Sequence, residues 1–96
     1  MPLEKFRRSL ADEAPPEGAS PALTALWHQG RGDWKAAHEA VMSDGSKEAA
    51  WVHAHLHRVE GDDSNAAYWY NRAGQSHCEE PLDSEWADLV ITLMPG

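Results

Sequence analysis

A Gly-Asp junction occurs twice in this chain, and no other feature constrains the fold as tightly. Gly32-Asp33 is followed by Trp34-Lys35-Ala36-Ala37, and Gly61-Asp62 by Asp63-Ser64-Asn65-Ala66-Ala67. The second copy stands 61 − 32 = 29 residues after the first. Glycine ends a helix by taking up the left-handed conformation that closes its last turn. Aspartate starts the next helix by accepting an N–H of its first turn. Each junction therefore joins two helices, and the chain reads as two consecutive helix–turn–helix units.

Local signals fix the remaining boundaries. Ser20-Pro21 is an N-cap followed by proline at the first helical position, which predicts a helix over 21–29 ended by Gly30. Asp33 caps a helix reaching Met42, with Trp34, Ala37, Ala40 and Val41 along one side. Asp44-Gly45-Ser46 turns the chain, and Ser46 caps a helix that runs to Glu60 with Ala49, Val52, Leu56 and Val59 as its apolar stripe. Asp62 to Ser64 caps the next helix, which runs to Ala73 with Gly74 past its end. Ala66, Trp69, Tyr70 and Ala73 face inward there, and Tyr68, Asn71 and Arg72 outward.

Asp83 or Ser84 is expected to cap a last helix, ended by Pro95-Gly96. Its Trp86, Leu89, Val90 and Leu93 form a one-sided stripe suited to covering the open end of a repeat stack. Residues 1–12 read as a short helix with Leu3, Phe6 and Leu10 on one side, and 13–19 as a linker broken by Pro15-Pro16. Phe6 either packs this arm on the body or leaves it to fray. The expected fold is all-α: two stacked hairpins, a C-terminal capping helix and a short N-terminal helical arm, with 20–96 as the single domain and 1–19 as arm and linker.

The second junction, Gly61-Asp62-x3-Ala66-x3-Tyr70-x2-Ala73, resembles the turn and second helix of tetratricopeptide and Sel1-like repeats. The first, Gly32-Asp33-x3-Ala37-x3-Val41, repeats the start of that pattern, with Asp44 where the family has alanine. The resemblance spans residues 21–74. It implies stacked helical hairpins and, by analogy of fold, a scaffold that holds peptides or partner proteins.

Composition narrows the partners. Sixteen acidic residues against eight basic ones give a net charge of −8, so nucleic acid and anionic membrane surfaces are not expected partners. Cations and basic peptides are steered favourably by the same field. A single cysteine, Cys78, excludes a disulfide framework. No run reaches the length of a signal peptide or membrane span, and a cytoplasmic location is the expectation.

Six histidines are the second unusual feature. His53 and His57 stand four apart, one helical turn from each other on one face. The repeat offset also aligns His28 with His57 (57 − 29 = 28), which predicts that they lie on adjacent first helices. Two histidines at this spacing ligate a metal on a helix, with His28 as a third ligand and Glu60 nearby. The commoner use of histidines at a repeat boundary is structural, bonded to a carbonyl or carboxylate. His77-Cys78 gives a weak metal or thiolate signal, more simply a packed loop. Gly30-Arg31-Gly32 is too short for a phosphate loop. No catalytic set is spelled out, and an enzyme is not expected.

Two functions follow as expectations. The leading one is a non-enzymatic module, without a cofactor, that binds a peptide or partner protein, a second copy included, through His28, His53, His57, Trp51, Tyr68 and Arg72. The alternative is a metal- or small-ligand-binding protein with His28, His53, His57 and Glu60 around a divalent ion such as zinc.

Overall fold

The structure, a computed structural model, describes residues 2–94. Its helices are α1 (Pro2–Ser9), α2 (Pro21–Gly30), α3 (Trp34–Met42), α4 (Lys47–Glu60), α5 (Asp63–Ala73) and α6 (Leu82–Leu93), and the described residues contain no strand. α2 and α3 form one antiparallel hairpin, and α4 and α5 the other. α4 is the hub: it packs on α2 and α3 of the first hairpin, on α5, and on α6. Pro95-Gly96, expected to end the last helix, lies outside the described residues.

The helix starts follow from their caps. Ser20 Oγ accepts Leu23 N–H, Asp33 Oδ1 accepts Ala36 N–H, Ser46 Oγ accepts Ala49 N–H and Asp62 Oδ1 accepts Asn65 N–H. Each cap contributes about 1 kcal/mol. The two junctions close with the same backbone bonds. Gly32 N–H and Asp33 N–H bond the carbonyls of Gln29 and His28, while Gly61 N–H and Asp62 N–H bond those of Arg58 and His57. The 29-residue repeat is therefore real at the level of hydrogen bonds.

Two boundaries differ from expectation. Gly30 is the last residue of α2, and the left-handed residue is Gly32, at φ +81°. Gly30 is instead a contact position: a Cβ there would stand 3.0 Å from both Leu10 and Trp86. α6 begins at Leu82 after Pro81, earlier than Asp83 or Ser84, and has no side-chain cap.

The core has two parts. The larger gathers Phe6, Leu23, Leu26, Trp27, Val41, Val52, Leu56, Trp86, Leu89 and Val90, and the smaller gathers Ala54, Ala66 and Tyr70. The arm packs: Phe6 is 2% exposed and lies against Trp86. Trp27 Nε1–H donates to Ser9 O at 2.9 Å, and Arg31 donates to the carbonyls of Leu10 and Asp12. Trp86 Nε1–H donates to Leu26 O at 2.9 Å, tying α6 to α2.

Candidate functional site

α4 carries three histidines within one and a half turns, and all three are buried. Because 53 and 57 share a face and 55 does not, they enter two separate clusters on different sides of the helix.

The first cluster lies between α3, α4 and α5. His38 of α3 meets His53 of α4 through their Nε2 atoms, 2.9 Å apart, so one imidazole donates its proton to the lone pair of the other. His53 stacks on His57 with ring centres 4.9 Å apart, and His38 meets His57 edge-on at 5.6 Å. The three residues each present a donor nitrogen within 4.8 Å of the other two. Indoles close the cluster on both sides: Trp34 stacks on His38 at 4.8 Å and Trp69 on His53 at 3.9 Å. Trp34 is itself fixed by its Nε1–H bond to Leu56 O at 2.7 Å.

Two rings of this cluster, His53 and His38, are held toward the neutral form. Burial, followed by the neighbouring His38 and His57, lowers His53 to about 4. Burial and His57 also lower His38, against the opposing pull of Glu60 and Glu39. Neutral imidazoles are the ligating form. His53 Nδ1 is buried and has no hydrogen-bond partner. At the rim, Glu60 Oε1 accepts His57 Nδ1–H at 2.8 Å, which leaves the lone pair of His57 on Nε2.

The second cluster is built around Glu85 of α6, which is 3% exposed. His55 Nδ1–H and Arg58 Nη1–H both donate to Glu85 Oε1 at 2.7 Å, and the Tyr70 hydroxyl donates to Oε2. Burial pushes the Glu85 carboxyl up, but the bonds from His55, Tyr70 and Arg58 outweigh it and hold the group down at about 2. The Tyr70 phenol is pushed far up by burial and by its bond to that carboxylate. This is a buried ion pair that joins α4, α5 and α6.

The sequence expectations divide accordingly. His53 and His57 meet as expected. His28 does not join them; its ring meets Trp27 edge-on at 5.1 Å. The repeat places the backbone carbonyls of His28 and His57 equivalently, but their surroundings differ. His57 lies beside α3, the second helix of the preceding hairpin, whereas α2 opens the stack and has no such predecessor. His38 supplies the third imidazole from α3, and the sequence reading missed it. The available signal was its position one turn after Trp34, the same i, i+4 spacing as His53 and His57. Glu60 bonds His57 and falls outside the three-histidine group; it groups instead with His57 and Asp62.

Trp51, named among the binding residues, is half-buried and packs against both parts of the core. Tyr68 is 54% exposed, and the Arg72 guanidinium lies over Tyr68 and Trp69. His77 packs on Tyr70 at 4.9 Å. The Cys78 thiol is pushed up by burial, which disfavours the reactive thiolate.

Comparison with protein-family models, characterised proteins and solved structures gives no match to this chain. The resemblance to tetratricopeptide repeats rests on the junction residues alone. No helix among the described residues is long and apolar enough to cross a membrane.

Proposed function

We propose that the chain binds a divalent transition-metal ion through His38, His53 and His57. The observation that carries this reading is the convergence of three imidazole donors from two helices within 4.8 Å of one another. A tetrahedral zinc site with bonds of about 2.05 Å needs donor nitrogens about 3.4 Å apart. The His38–His53 contact of 2.9 Å opens slightly to reach that value, and the remaining separations close by at most about 1.4 Å, within the range of small χ adjustments. An all-imidazole set selects zinc, copper, nickel or cobalt over magnesium and calcium, which prefer oxygen ligands. The net charge of −8 adds a favourable field for any cation.

The test is thermal denaturation with and without zinc. A ligand at 100 times its dissociation constant stabilises the fold by about 2.7 kcal/mol, which for a domain of this size raises Tm by at least about 10 °C. Magnesium at the same concentration is expected to leave Tm unchanged. No zinc-dependent rise would refute the reading.

A second reading, a peptide- or protein-binding surface that includes self-association, rests on Tyr68. Its ring is 54% exposed and Arg72 is laid against it, a pairing common at interface anchors. Sedimentation of the wild type and Tyr68→Ala tests self-association; two identical monomers contradict it.

A further inference from the structure

We infer that the three-histidine site is open: a bound ion keeps one coordination position for an exchangeable small donor, either water or a small monodentate anion. This inference rests on the metal reading above and concerns the fourth position only.

Among the described residues, no fourth histidine, cysteine, aspartate or glutamate offers an atom within reach of the His38, His53 and His57 donors together. The Glu60 carboxylate is already committed. Glu60 Oε1 holds Nδ1–H of His57 at 2.8 Å, while an ion bound by His57 sits on the opposite edge of the ring, at Nε2. To become a ligand, Glu60 would have to leave a bond that orients His57, the usual role of a carboxylate behind a metal-bound imidazole. The other donors are engaged elsewhere. Asp62, which groups with His57 and Glu60 but not with His38 and His53, caps α5 through Oδ1. His55 holds Glu85, His28 is against Trp27, His77 is against Tyr70, and Cys78 lies by Glu85 and Arg58.

Zinc sites that only hold structure together are closed by four protein ligands, whereas a site with three keeps a solvent or substrate molecule in the fourth position. The burial pattern provides the approach. His53 and His57 are buried on α4, while His38, Trp34 and Trp69 are half-buried, so the site meets solvent along the α3 and α5 edges. There, the donor that reaches the ion must be small.

Cobalt(II) provides the test, because its visible absorption reports coordination directly. The protein is loaded with cobalt and titrated with azide, and calorimetry with zinc is run in parallel. The expected result is a saturable, one-to-one change in the cobalt bands. Glu60→Ala is expected to weaken zinc binding by about 10- to 100-fold while keeping the azide response. Cobalt bands indifferent to azide, with zinc and cobalt both bound, would overturn the open site and leave the metal reading standing. An azide response that appears only in Glu60→Ala would make Glu60 the fourth ligand and also overturn it. Failure of the wild type to bind either metal would overturn both readings.

Discussion

The two histidine clusters of α4 make an internal control, because one helix presents chemically similar side chains to two different sets of neighbours. Around Glu85, each carboxylate oxygen has a donor, and three positions from α4 and α5 converge on one negative charge. Around His53, three imidazoles face one another with only one hydrogen bond among them, and Glu60 serves only the rim. The Glu85 carboxylate is satisfied on both oxygens, with His55 Nε2 the one buried atom of the set left without a partner, and its work is to hold α6 against α4 and α5. The His53 set gathers three imidazole nitrogens around a single shared proton, the arrangement a cation in that proton's place completes. The difference shows that burying a histidine does not define its role; what defines it is whether its partners already satisfy each other.

Mutation of the two central residues should separate the clusters most strongly. Glu85→Ala leaves His55 and Tyr70 buried, and Arg58 half-buried, without their shared acceptor, and is expected to cost about 3–5 kcal/mol in urea denaturation. Glu85→Gln, which keeps an acceptor oxygen, is expected to cost less and to retain zinc binding. If Glu85→Ala is as stable as the wild type, the structural role assigned to this cluster is wrong.

Acid titration sharpens the same contrast by giving each cluster its own window. Glu85 stands at about 2 in the folded chain against an ordinary 4.5, so the unfolded chain takes up that proton first. The contribution is complete above pH 4.5 and is lost as pH falls toward 2, a loss on the order of 3 kcal/mol. His53 stands at about 4 against 6.5, again because the unfolded ring protonates first. The metal-free fold therefore loses stability as pH falls from 6.5 to about 4. Urea midpoints measured across pH 7 to 2 should show these two descents. A midpoint flat between pH 6.5 and 4 would mean that His53 is not held neutral.

The smallest expected effect is the most diagnostic for the first cluster. His53→Leu removes an imidazole whose Nδ1 is buried without a partner, so apolar replacement is expected to change stability by no more than about 1 kcal/mol. Zinc binding should be lost in the same variant. A loss of several kcal/mol would show that the His38–His53 bond is a structural device like the Glu85 set.

What the sequence displays and what it conceals follow from the range of the interactions. Caps at Ser20, Asp33, Ser46 and Asp62 are local events set by residues three positions apart, and each is legible. The helical hairpins and the inward stripes of Leu56, Tyr70 and Trp86 follow from period and punctuation. Glu85 stands in the first turn of α6, where an acidic residue is ordinary, and only partners 15 to 30 positions upstream make it a core residue. His38 is concealed for the same reason: its spacing to Trp34 is visible, but the face of α3 that meets α4 is a tertiary fact. The repeat itself misleads about His28, because equivalence in the backbone does not extend to side chains at the end of a stack.

The central claim is that His38, although on another hairpin and half-buried, completes a metal site with His53 and His57. Calorimetric titration of zinc into the wild type and into His38→Ala, both folded by far-UV circular dichroism, tests it most directly. The account predicts one zinc per wild-type chain and an affinity at least about 100-fold weaker in His38→Ala, since one of three ligands is gone. Equal zinc affinity in the two proteins, or no zinc bound by either, would contradict it.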